Sequence, residues 1–167
     1  LDYEAEGRNA DRFRESFRAE DEVHIPLIYW DYTTKRLLVL EYIEGIKIDQ
    51  IEALDAAGCD RYAVATNAAR MIIQDVLQDG FFHADPHPGN FIVMENNVIG
   101  AMDFGMVGHL SRADRVNLIR IYNVAVEMNA EGVTEELIHI GAASFDVDRR
   151  TLARDLQRLL HHYSGMA

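Results

Sequence analysis

The stretch GFFHADPHPGNFIV, followed by ENNV and IGAMDFGMVG, constrains this chain more than any other part of it. Pro86 and Pro88 lack backbone donors and fix their φ angles, so residues 82–90 read as a stiff loop and not as helix or central strand. Gly89 supplies the freedom an unusual backbone angle needs. Two short apolar runs, Phe91 to Met94 and Val98 to Met102, flank Asn96-Asn97, a tight-turn pair, and read as a β-hairpin. Asp85 thus lies on a loop, Asn90 sits just before a strand, and Asp103 ends the next strand, thirteen residues beyond Asn90.

That order of residue types suits phosphoryl chemistry. Transfer of a terminal phosphoryl group needs its negative oxygens neutralised and the nucleophile held in line. A carboxylate and an amide oxygen converging on one hard cation meet the first need. A second carboxylate can accept a proton or orient the nucleophile, so Asp85, Asn90 and Asp103 together are the candidate set. His83, Asp85 and His87 alternate, but an imidazole-rich set suits zinc or iron. The expected roles are packing and loop hydrogen bonds for His83, and loop shaping for His87.

Composition narrows the alternatives. With 28 acidic and 16 basic residues the net charge is −12, which repels phosphate backbones and disfavours unaided nucleic-acid binding. The lone Cys59 allows no intrachain disulfide and no cysteine-based zinc site, and reads as a buried structural thiol. No run approaches eighteen uninterrupted apolar residues, so no transmembrane segment is expected. The chain opens on Leu1-Asp2-Tyr3-Glu4, with neither an initiator Met nor a signal core, and reads as beginning inside a folded region.

The remaining pattern is mostly helical. Asp2 to Ala19 reads as an amphipathic helix capped by Asp2. Leu27–Trp30 and Arg36–Ile43, joined by a polar turn, read as a hairpin ended by Gly45. Helices are expected over Ile48–Ala57 and Asp60–Gln78, the second with an apolar face of Ala65, Ala68, Met71, Ile72, Val76 and Leu77 and with Gly80 as its stop. Ser111 caps a further helix with Asp114 as its box partner, and helices follow over Thr134–Ile140 and Asp148–Tyr163. Phe81 and Phe82 read as core beneath the loop, Met102 and Met106 as gap fillers, and His161-His162 as helix surface. Arg149, Arg150, Arg154 and Arg158 fit a solvated face or a contact with anionic lipid.

HADPHPGN followed by AMDFG resembles the UbiB/AarF, or ADCK-like, atypical kinases associated with ubiquinone biosynthesis. QDGFFHAD, MVG, LLVLEYIEG and the opening LDYEAEGRNADRF extend the resemblance from Leu1 to about Leu110. The resemblance implies an α+β, protein-kinase-like fold. Residues 1–43 would be a remnant of its N-lobe, with helix C, two strands and the hinge. Residues 44–167 would form a helical C-lobe with a catalytic loop at 83–90 and a metal motif at 103–105. It implies ATP and Mg²⁺ as cofactors. Asp85 would be the catalytic-loop carboxylate, with Asn90 beside it as a metal ligand, and Asp103 would hold Mg²⁺. Glu6 would be the helix C glutamate that pairs with a nucleotide-binding lysine, and Glu41, Tyr42 and Ile43 would face adenine mainly through backbone groups. It further implies a cytoplasmic location, peripheral at the inner face of a membrane, with membrane lipid or quinone-pathway proteins as partners.

The family's upstream Lys-x-Gly-Gln motif and strand lysine are not in this sequence, so the 167 residues alone are expected to bind ATP weakly. Independently of any family, five residues separate Gly105 from Ser111, and no Ala-Pro-Glu follows. Ala84 stands where an arginine would read a phosphorylated segment. Peptide phosphorylation is therefore disfavoured. A small-molecule phosphotransferase of the aminoglycoside or choline kinase type, and a non-catalytic nucleotide-sensing scaffold, remain the competing readings.

Overall fold

A computed structural model of the chain describes residues 2–164. Asp2 caps helix α1 (Tyr3–Ser16) as expected, its carboxylate accepting the backbone N–H of Glu4 at 3.1 Å and of Ala5 at 3.2 Å. The chain then forms β1 (Val23–His24), β2 (Ile46–Lys47), α2 (Ile51–Ala56) and α3 (Arg61–Ile73). A π-helical segment (Gln74–Asp79) extends α3. Strands β3 (Phe81–His83), β4 (Phe91–Val93), β5 (Ile99–Ala101) and β6 (Val107–His109) follow, then α4 (Arg112–Val126), α5 (Ala130–His139) and α6 (Arg149–Ser164). The architecture is mixed α and β. Two compact units divide it, Leu1–His109 and Leu110–Ala167.

In the first unit, β4 and β5 form the expected hairpin, with Phe91 opposite Ala101 and Val93 opposite Ile99. Asn96 and Asn97 both take positive φ, 60° and 61°, which asparagine tolerates better than most residues. This hairpin is the middle of a four-stranded sheet ordered β1-β5-β4-β2, with β1 parallel to β5 and β2 antiparallel to β4. A second, two-stranded sheet pairs β3 with β6. One core joins Phe13 and Ile28 to Phe81, Phe91, Ile99 and Phe104, so residues on both sides of position 43 share it.

Gly45 shows how tightly β2 is docked. A Cβ there would lie 2.4 Å from the carbonyl oxygen of Val93, a backbone atom of β4 that cannot rotate away. Gly45→Ala is expected to separate β2 from β4 and to cost about 1–3 kcal/mol of stability, the usual range for overpacking. A urea unfolding midpoint unchanged from the parent chain would refute this.

Several sequence expectations change in the fold. Leu27–Trp30 and Arg36–Ile43 do fold back, with Tyr29 N–H donating to Val39 O at 2.9 Å and Glu41 N–H to Leu27 O at 2.8 Å. They make only isolated bridges, Ile28 with Leu40 and Thr34 with Leu37. Side chains take the other ladder positions: Thr33 Oγ1 accepts from Val39 N–H, and a Glu41 carboxylate oxygen accepts from Leu27 N–H. The stretch 81–83, expected in part as loop, is strand because β6 pairs with it. The buried stripe of the long helix is also displaced. Val64, Met71 and Asp75 are buried, whereas Ala65 and Ile72 are exposed. Gly80 does end the element in the left-handed region, φ 64°. Met106 is 57% exposed and fills no core gap. Phe81 is core at 1% exposure, Cys59 packs half-buried against the core, and His161 and His162 are exposed.

The second unit begins with the expected box: Ser111 and Asp114 exchange side-chain and backbone hydrogen bonds at the start of α4. Asn129 caps α5 through Gly132 N–H. The ion pair of Arg149 with Glu135 links α6 to α5.

Candidate active site

His83, at the end of β3, organises the loop. It is 8% exposed. Its Nε2 lies 3.2 Å from the carbonyl oxygen of Met102, and its Nδ1 lies 3.2 Å from the backbone N–H of Asp85. A carbonyl only accepts and a backbone N–H only donates, so the ring is the neutral Nε2–H tautomer. It thereby ties Asp85 to the residue before Asp103. Ala84 N–H donates to Met106 O at 3.0 Å, a second tie across the same gap. His87 shapes the loop as expected, its Nδ1 accepting Gly89 N–H at 3.1 Å.

Asn90 is fixed on both sides. Its backbone carbonyl accepts Met102 N–H at 2.9 Å, and its side-chain amide N–H donates to Asp85 O at 3.2 Å. The amide nitrogen is thus used within the loop, which leaves Oδ1 as the group able to accept or to coordinate. Asp85 and Asn90 are thus hydrogen-bonded to each other, and both are tied to Met102, the residue before Asp103, Asp85 through His83 and Asn90 directly.

Asp103 has φ 61°, a costly conformation for a residue with a side chain. Its Oδ1 accepts Gly105 N–H at 3.3 Å. Phe104, 3% exposed, anchors the turn, its ring centroid 5.0 Å from that of Phe13 and 5.9 Å from that of His83. Asn9 of α1 donates from Nδ2 to Phe104 O at 2.9 Å. Sequence reading passed over Asn9, since a half-exposed helical asparagine gives no signal until its partner, 95 residues away, is placed.

Glu6 lies one turn before Asn9 on the same helix face. A Cβ built on Gly105 would sit 3.3 Å from Asp103 Oδ1 and 3.5 Å from Glu6 Oε2, so both carboxylates flank that glycine. Burial, and then the charge of Asp103, raise the Glu6 carboxyl above its ordinary 4.5. A raised acid costs folding stability as pH climbs from 4.5 to its folded value. A cation between the two carboxylates would remove that cost.

Among the described residues no three His, Cys, Asp or Glu side chains converge on one point. A cation here would rest on Asp103, Asn90 Oδ1 and ligand oxygens. That sparse, all-oxygen set fits Mg²⁺, which keeps waters and phosphate oxygens in its shell.

The side chains of Glu41, Tyr42 and Ile43, the residues expected to face adenine, have separate surroundings. Glu41 turns its carboxylate to His24 Nε2 at 3.2 Å and to Leu27 N–H at 3.0 Å. It lines a cavity of ≈ 520 Å³ with Arg14, Arg18 and His24, and none of Asp85, Asn90 or Asp103 is among that cavity's walls. The Tyr42 side chain is 87% exposed, and Ile43 is buried against Gly100.

The chain matches the ABC1 atypical kinase-like domain family over residues 1–137. Among its relatives, protein sll1770 of Synechocystis is 42% identical over 163 residues, which is 97% of this chain and 28% of that protein. The chloroplastic protein ACTIVITY OF BC1 COMPLEX KINASE 7 of Arabidopsis thaliana is 39% identical over 160 residues, 96% of this chain and 23% of that one. A probable protein kinase UbiB of Xylella fastidiosa is 35% identical over 148 residues, 85% of this chain and 26% of that one. The chain thus spans about a quarter of the length of these relatives. Among solved structures, the complex of Rv3197 with erythromycin from Mycobacterium tuberculosis shares the fold, with TM-score 0.74 and 21% identity over 96% of this chain and 41% of that one.

Proposed function

Because the chain belongs to the ABC1 atypical kinase-like family, the UbiB/AarF group, we propose that residues 2–109 build the Mg²⁺-ATP site of an atypical kinase or ATPase. The observation that carries this reading is the pair of carboxylates, Glu6 and Asp103, held on either side of Gly105. Such a pair is costly alone and favourable around positive charge.

In this reading, Asp103 and Asn90 Oδ1 hold the metal, while Glu6 receives a basic nucleotide-binding side chain, as the family resemblance implies. When bound at Asp103 and Asn90, Mg²⁺ would supply positive charge that offsets the negative charge of the nucleotide phosphates. Asp85 accepts the proton of the attacking hydroxyl or water as its oxygen bonds to the γ-phosphorus and the bridge to the β-phosphate breaks. The His83 tie to Asp85 N–H fixes where that carboxylate stands. This activity supports isoprenoid-quinone (ubiquinone) biosynthesis, as the family resemblance implies. The protein works in the cytoplasm, peripherally at the inner face of a membrane, with lipid or quinone-pathway proteins as partners. No helix among the described residues is long and apolar enough to cross a membrane.

The test is Mg²⁺-dependent ATP turnover by the full-length gene product. Asp85→Asn is expected to lower kcat by roughly 10²–10⁴, the range for losing a positioned acid–base group, while ATP affinity stays within about threefold. Unchanged turnover would remove Asp85 from the mechanism. Efficient phosphorylation of a soluble alcohol or aminoglycoside would move the protein to the small-molecule phosphotransferases.

A further inference from the structure

Asp75 is the one carboxylate in the buried stripe of the long helix, at 3% exposure, where Val64 and Met71 hold the neighbouring stripe positions. It lies in the π-helical segment, a form that concentrates at functional sites. Its Oδ1 has no hydrogen-bond partner. It faces a cavity of ≈ 10 Å³ whose other walls include Met71, Phe82, His83, Pro86 and Phe91. Three of these, Phe82, His83 and Pro86, belong to β3 and the loop that carries Asp85. The space is at the lower limit for one water, and both His83 nitrogens are already engaged with Met102 and Asp85.

We propose that Asp75 is a positioning residue for the loop 83–90: carrying its proton, its carboxyl sits as a neutral floor beneath His83 and Pro86 and allows the loop to close. An ionised carboxylate in that place has no cationic side chain among the cavity walls and room for one water at most, and it gains hydration and stability when the loop lifts. The groups facing it all favour the proton. Asp79, on its own segment, adds like charge, and the other cavity walls from α3, β3, the loop and β4 carry no charge, with His83 in its neutral form. Burial first, then Asp79, push the Asp75 carboxyl up to about 8. Asp75 gives no signal along the sequence, because an aspartate in a helix reads by default as its solvent side.

The sign follows from linkage. The closed loop holds a proton that the open loop releases with an ordinary acid's pKa, so opening becomes easier as pH rises from about 4 to about 8, then levels off. The bearing on phosphoryl transfer rests on the kinase reading. The loop's behaviour does not, because it is read without nucleotide.

The experiment is amide hydrogen exchange from pH 5.5 to 9, corrected for intrinsic exchange, on the full-length gene product and its Asp75→Asn variant. In the wild type, protection of the Ala84, Asp85 and Asn90 amides is expected to fall at least roughly tenfold between pH 5.5 and 7.5, since linkage allows up to tenfold per unit, and to flatten above about 8. In Asp75→Asn, which cannot ionise, it stays flat. Superimposable pH profiles for the two proteins would overturn the proposal, as would a slope seen at β4 and β5 amides but missing from the loop. Carboxyl-carbon NMR of the wild type needs no variant: titration of Asp75 below pH 6 would also overturn it.

Discussion

Asp103→Asn is expected to lower Mg²⁺-dependent ATP turnover by the full-length gene product roughly 100-fold or more, the usual consequence of deleting one preorganised electrostatic group. The folded chain is expected to be no less stable. Asparagine keeps the oxygen that accepts Gly105 N–H, and it tolerates the positive φ at this position. The substitution also removes the charge that helps raise Glu6, so the Glu6 carboxyl moves down toward 4.5 and the native state gains stability above that pH. Carboxyl-carbon NMR of Glu6 and a urea titration measure both effects. Full turnover in the variant would end the assignment of Asp103 to the metal, and an unmoved Glu6 would separate the two carboxylates. Lost turnover together with lost stability would show a structural role instead.

Phe13→Ala is expected to destabilise the first unit by about 3–5 kcal/mol, the range for truncating a buried phenylalanine. Phe13 is 1% exposed, and its ring lies 4.6 Å from Phe81 and 5.0 Å from Phe104 by centroid. Its loss leaves a void under two aromatic neighbours, of which Phe104 follows Asp103 directly. Set against a typical domain stability of about 5–15 kcal/mol, the effect is large. Phe13→Leu refills part of the space and is expected to cost clearly less. A loss under about 1 kcal/mol in chemical denaturation of Phe13→Ala would show that the three rings do not act as one packed unit.

The helices, the β4–β5 hairpin and its Asn96-Asn97 turn were legible because their signals are local: caps, period and turn chemistry within a few residues. The family was legible in HADPHPGN and AMDFG for the same reason. The short strands β1, β2, β3 and β6 were not read, since two or three residues carry no period. Their partners lie elsewhere in the chain, as Val23 lies opposite Ile99. The segment 27–43 was overread as a regular hairpin because Thr33 and Glu41 side chains occupy backbone positions, a competition that propensity does not report.

The sequence by itself determined which residue types stand at the loop, the turn and the strand ends, and with them the kinase-like family. Tertiary structure decided which atoms remain available there. His83 could bridge to Met102, Asn9 could reach Phe104 O, and Glu6 could meet Asp103 only after helix and hairpin had packed on one core. It also placed Asp75 beneath the loop, because burial of a charge is a property of everything that surrounds it, and no window along the chain contains that.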